Sequence, residues 1–181
     1  MSPTAPIPGD ALRAALKSQY HAALAMLREA IDRCPDALWT AGGHPHAYWQ
    51  NAYHALFFAH FYLQPDEAAF RPWRGHQSRV QFPDAIGGPP ERDSTLPMLP
   101  EPYSRAQALE YWALCDAMVD GAIDTLDLQS PTSGFPWYPI PKLEHLLVNL
   151  RHIQHHTAQL ADRLRKAADI GVRWAGARHP R

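Results

Sequence analysis

The sequence predicts an all-α protein: a four-helix bundle with a long Pro-rich crossover connection between helices 2 and 3, in a single domain over residues 1–181. Three observations lead there. In three separate segments apolar residues recur at three- and four-residue intervals, the period of one helix face. A fourth segment, 46–63, is apolar nearly all the way round, as a helix deep inside a bundle must be. Between the second and third segments, residues 64–103 contain Pro65, Pro72, Pro83, Pro89, Pro90, Pro97, Pro100 and Pro102, a density that excludes long helices and central strands.

The first helix is expected over 10–33, with Asp10 as N-cap. Its stripe is Leu12, Leu16, Tyr20, Ala23, Leu24, Leu27 and Ile31. His21 falls outside the stripe and reads as a surface residue. Pro35 ends the helix, because proline disfavours helical geometry in the residue before it. Residues 36–46 then read as a loop, with Gly42, Gly43 and a His44-Pro45-His46 run whose plain explanation is solvation.

In the second helix, 46–63, His54 lies among Tyr53, Phe57, Phe58 and Phe61. A histidine buried there needs a hydrogen-bond partner or an ion, since an unpaired buried polar group costs about 1–3 kcal/mol. His60 is about 240° away by helical phase and cannot share a site with His54; it reads as a polar residue near a helix end. In 64–103, Trp73, Phe82, Met98 and Leu99 are expected to hold the segment against the bundle. A connection this long also allows helix three to run parallel to helix two.

Ser104 and Gln107 form a capping box that opens the third helix, 104–126. Its seam is Leu109, Trp112, Asp116, Val119, Ile123 and Leu126. Asp116 stands either at the wet edge of that seam or behind a ligating imidazole as its acceptor. The fourth helix, 140–168, repeats Leu143, Leu146, Leu147, Leu150, Ile153, Leu160 and Leu164. At about 100° per residue, His145, His152 and His156 lie within about 40° of one another on the flank of this face, and His155 points to solvent. The tail after Ala168 reads as solvated or loosely docked.

A net charge of −1 with neutral histidines gives no electrostatic case for nucleic acid or a membrane surface. The sequence has neither a signal-peptide pattern nor a membrane-length apolar run, which makes the cytoplasm the expected compartment. Cys34 and Cys115 suggest no disulfide framework and read as small core residues.

Eleven histidines in 181 residues is a high count. A pair at i and i+4 is ordinarily two polar residues on a half-buried face, but such a pair can also close on one metal ion. Known spacings narrow the chemistry. Ile153 stands where a zinc-protease helix needs Glu after its first His. No Glu is followed by His three residues on, as di-iron carboxylate bundles require. The chain has no zinc-finger cysteine spacing, nucleophile elbow or phosphate-binding glycine loop. What survives is a bundle with three neutral imidazoles from two helices: His54, His152 and His156.

The run HIQHHTAQL, together with the mid-helix histidine of WQNAYHALF, resembles the DinB/YfiT-like superfamily of metal-dependent enzymes. The resemblance implies a four-helix bundle, a ligand triad of His54, His152 and His156, and Gln159-Leu160 as the tail of the motif. Ala158 replaces the commoner glycine. A divalent metal ion, zinc or nickel, is implied in an open site, activating a thiol or water for transfer or hydrolysis. The expected partners are a small-molecule substrate, with a low-molecular-weight thiol among the candidates, and a second copy of the chain in a homodimer. The alternative is a non-catalytic stress-related or ligand-binding bundle whose metal, or haem between facing histidines, is structural or occasional.

Overall fold

The computed structural model describes residues 9–41, 44, 46–77, 80–81 and 101–178. These form five helices and no strand: α1 (Gly9–Asp32), α2 (Asp36–Trp39), α3 (Tyr48–Tyr62), α4 (Arg105–Thr125) and α5 (Lys142–Ala168). The four long helices lie within two residues of the expected bounds. The short α2 was not expected. It follows Pro35, whose extended backbone makes it an N-cap, and a single turn is too short to show an apolar period. Among the described residues of 64–103 there is no helix. The expectations for Phe82, Met98 and Leu99, for Gly42, Gly43 and Pro45, and for residues 1–8 lie outside the described residues.

The long helices pack in a ring, α1 on α4 and α5, and α3 on α4 and α5. Contacts fix their directions. Trp49 meets Tyr103 at a ring separation of 5.8 Å, and the Cys115 thiol donates to the Leu56 carbonyl, so α3 and α4 run the same way. Asn51 bonds Gln159 and Asn149 bonds the Ala59 carbonyl, so α3 and α5 are antiparallel. Tyr20 donates to the Leu146 carbonyl and Gln154 meets the Met26 sulfur, so α1 and α5 run the same way.

The core is rich in tyrosine, and each deeply buried hydroxyl has a partner: Tyr48 donates to the Ala30 carbonyl, Tyr53 bonds His76 and Tyr111 bonds His60. This satisfies groups that burial would otherwise penalise. The predicted capping box is present, with the Gln107 amide donating to Ser104 Oγ at 3.2 Å and the Ser104 amide to Gln107 Oε1 at 2.9 Å.

After α3 the chain retraces that helix. Phe70 packs on Phe57, His60 and Phe61, and Trp73 stacks on Tyr111 with ring centroids 4.9 Å apart. His76 reaches Tyr53 and Phe57. The connector before α5 is locked at Gly134, where φ is +84° and a Cβ would collide with the Pro65 carbonyl, so only glycine fits. The tail docks along α1: Ile170 and Val172 pack on the core, and Gln19 donates to the Gly176 carbonyl. Among the described residues, no helix is long and apolar enough to cross a membrane.

Several polar residues stand elsewhere than expected. His21 is buried, not at the surface: its ring nitrogens meet Asp116 at 2.6 Å and Asp120 at 3.0 Å, because α4 covers the flank of α1 that the apolar stripe leaves out. Asp116 therefore serves His21 and not a ligating imidazole. His60 lies in the last turn of α3, near the helix end as expected, and is buried against the Tyr111 hydroxyl. His145 is fully buried among Tyr62, Phe135 and Tyr138. His155 is exposed, as its phase requires.

Candidate metal centre

The second-helix histidine and the α5 pair meet because α3 and α5 pack antiparallel, with Asn51 beside Gln159 on one side and Ala59 beside Asn149 on the other. His54 lies between these pairs on α3, and His152 and His156 lie opposite on α5. The ligating nitrogens of the three rings lie within 4.8 Å of one another. His152 Nε2 is 3.0 Å from His54 Nε2 and 3.1 Å from His156 Nε2. Nitrogens bound tetrahedrally to one zinc at about 2.0–2.1 Å stand about 3.3 Å apart. The observed separations fall short of that by a few tenths of an ångström, so the donors fit a single ion with a slight opening. His54 and His156 are buried and His152 is half-buried.

The outer nitrogens decide where the lone pairs point. His54 Nδ1 lies 2.6 Å from the Gln81 carbonyl oxygen, which can only accept, so the proton is on Nδ1 and Nε2 turns a lone pair inward. His156 Nδ1 lies 2.9 Å from Gln159 Oε1, which also accepts from Asn51 Nδ2 at 3.1 Å. The amide nitrogen of Gln159 faces His155 Nε2 at 3.0 Å, which fixes the orientation of the amide. His156 therefore also presents Nε2 as an acceptor.

His152 is held differently. Its Nδ1 is buried with no hydrogen-bond partner, and its Nε2 faces the other two Nε2 atoms. His152 would ligate through Nε2 with its proton on the unpartnered Nδ1. Burial, reinforced by the imidazoles of His156, His54 and His155, pushes its pKa down to about 3, so the ring stays neutral at ordinary pH. Phe58 closes the apolar side, with its ring 4.8 Å from His54 and 5.3 Å from His152.

All three predicted ligands come together; His145 and His155 stay out of the cluster. The sequence reading did not single out Asn51 or Gln81. Asn51 had a signal, as a polar residue three positions before His54 on an apolar helix. Gln81 had none, because it contributes a main-chain carbonyl that any residue could supply. A cleft of about 710 Å3 lies elsewhere, between α1, α4 and the tail, and no triad residue lines it.

No family model matches the chain, and no curated protein or solved structure is significantly similar to it. The case for function therefore rests on the site itself.

Proposed function

We propose that the chain is a metal-dependent enzyme of the DinB-like type, a four-helix bundle in which the Pro-rich segment crosses between the parallel α3 and α4. His54, His152 and His156 would hold a divalent ion, zinc or nickel being suited to three imidazoles. The observation that carries the reading is the convergence of three Nε2 atoms, two of them turned inward by the Nδ1 bonds to Gln81 and Gln159. Three imidazoles from two helices is the donor set of open zinc sites, which keep a position for water or substrate.

A divalent ion on three neutral ligands keeps its full charge and supplies Lewis acidity that lowers the pKa of a coordinated water or thiol. The protein's own part is positional. Gln81 and Gln159 fix two imidazole tautomers, Asn51 fixes Gln159, and Phe58 keeps water from the apolar side. The reaction class is transfer to or from a small thiol, or hydrolysis, in a cytoplasmic protein.

Metal analysis of protein purified without a histidine tag tests the reading, followed by titration with cobalt(II) as a spectroscopic probe. The expected result is close to one ion per chain, lost in each of His54→Ala, His152→Ala and His156→Ala, with a cobalt spectrum that changes when a small thiol is added. Metal retained in all three variants would remove the site. A cobalt spectrum indifferent to thiol and other small ligands would leave a structural ion.

A further inference from the structure

On the side of α3 away from the triad, another histidine borders open space. His60 is about 240° round the helix from His54 and meets Tyr111 of α4, not α5. It is only 7% exposed, yet it lines a cleft of about 330 Å3 between α4 and the chain that retraces α3. Small-molecule pockets run from about 300 to 1,000 Å3, so the space holds a small ligand.

The partner of the imidazole fixes its proton. His60 Nδ1 lies 3.1 Å from the Tyr111 hydroxyl, which is fully buried and has no other hydrogen-bond partner among the described residues. A buried hydroxyl with a single neighbour donates to it, because its hydrogen would otherwise go unbonded. The His60 proton is therefore on Nε2. Burial depresses the pKa of the ring to about 4, which keeps it neutral. Nε2 is thus an N–H donor with no acceptor among the described residues, and unlike the two His145 nitrogens it is not closed off from the surface.

The other lining residues are also rich in donors. Glu110, the carboxylate of the cleft, is already paired with Arg74 at 2.9 Å and accepts from the Trp73 indole at 3.1 Å. Arg71 has no ion pair among the described residues. Its Nη1 donates to the Ala68 and Phe70 carbonyls at 2.8 Å, which holds the guanidinium at the cleft with its other N–H groups unused. Pro72, Trp73 and Leu114 supply apolar wall, and Leu114 is 37% exposed, so part of that wall is bare.

We infer that this cleft binds a small organic carboxylate, its oxygens on Arg71 and His60 Nε2 and its apolar body against Trp73 and Leu114. An anion without such a body would leave the wall bare, and an uncharged apolar molecule would leave both donors unpaired. The site is independent of the metal centre, since His60 faces α4 while the triad lies between α3 and α5.

Benzoate serves as the probe on the full chain, with acetate as the charge without the apolar body and benzyl alcohol as the body without the charge. Nuclear magnetic resonance follows the Trp73 indole N–H and the His60 ring nitrogens. The free protein should show His60 protonated on Nε2, and benzoate should shift both sets of signals saturably. Acetate and benzyl alcohol should each bind about tenfold or more weakly. Arg71→Met alters an exposed side chain, so it should fold normally while weakening benzoate by a similar factor. Zinc bound at the triad should leave benzoate affinity unchanged, which separates this site from the metal centre. Absence of a saturable benzoate shift, a free His60 protonated on Nδ1, an Arg71→Met variant that binds like wild type, or equal affinity for acetate or benzyl alcohol would each overturn the inference. Benzoate shifts confined to His152 and His156 would do the same.

Discussion

Gln159→Leu is the perturbation that isolates the metal centre from the fold. Gln159 is exposed, and leucine matches its length and helix propensity, so the cost to folding is confined to the acceptor lost by the Asn51 amide and the His156 ring, about 1–3 kcal/mol. At the site it removes the acceptor for His156 Nδ1 at 2.9 Å, the acceptor for Asn51 Nδ2 at 3.1 Å and the contact to His155 at 3.0 Å. Once its Nδ1 proton loses that acceptor, His156 can rotate or take the other tautomer, and either outcome turns its lone pair away from the cluster. Loss of such an outer partner typically weakens metal binding about 10–100-fold, equivalent to about 1.4–2.7 kcal/mol. Competition for zinc against a chromophoric chelator at neutral pH measures the effect, with circular dichroism to confirm unchanged helix content. His155→Ala is the control: it deletes the amide-nitrogen contact and leaves Oε1 on His156, so its affinity should stay within about threefold of wild type. The reasoning is refuted if Gln159→Leu binds zinc as tightly as wild type, or if His155→Ala loses as much affinity as Gln159→Leu.

Two further outcomes follow from the same contacts. Trp73→Ala should destabilise the chain by about 3–5 kcal/mol, since Trp73 is buried and stacked on Tyr111; zinc affinity of the folded fraction should fall with it, because Trp73 anchors the chain that precedes the Gln81 carbonyl at His54, and unchanged affinity in a folded variant would break that link. Burial depresses both His60 and His145 to about 4, with Lys142 adding to the effect on His145. Their folded pKa values lie below the unfolded one, so the stability they contribute is complete above about pH 6.5 and is lost as pH falls towards 4, roughly 1–2 kcal/mol each by pH 5. Urea unfolding of metal-free protein at pH 7 and pH 5 should show His145→Phe flattening that dependence, and an unaltered slope would contradict it.

The triad was legible in the sequence because each member carried a local signal. His152 and His156 are one turn apart beside an apolar stripe, and His54 sits in a helix with almost no polar company. What was not legible depended on which neighbour covers which face. His21 was misplaced because one stripe was taken to define the buried side of α1, whereas α4 buries a second side through Asp116 and Asp120. Those two carboxylates are themselves one turn apart on a seam, a signal that only makes sense once a cation is placed opposite. His60 and His145 look unremarkable by helical phase; it takes Tyr111 in one case and Phe135 with Tyr138 in the other to bury them. The parallel course of α3 and α4 was allowed by the length of 64–103 but not required by it.

One pattern in α5 runs through the metal centre. Lys142, His145, Asn149, His152, His156, Gln159 and Arg163 follow one another at three- and four-residue steps, so they form a single polar seam down the helix. All but His152 and Gln159 are buried, and most of the unpartnered buried side-chain atoms among the described residues belong to this seam. The adjacent seam, Leu146, Ile153, Thr157, Leu160 and Leu164, shows no exposed surface and holds one polar group, the Thr157 hydroxyl, which donates to the Ile153 carbonyl. Burying that apolar seam contributes about 1.5–3 kcal/mol per side chain, while each unsatisfied polar group beside it costs about 1–3 kcal/mol. A helix selected for packing alone would have filled both seams with apolar residues. The polar seam therefore costs stability along its length, and a cation held at His152 and His156 would offset part of that cost only when bound.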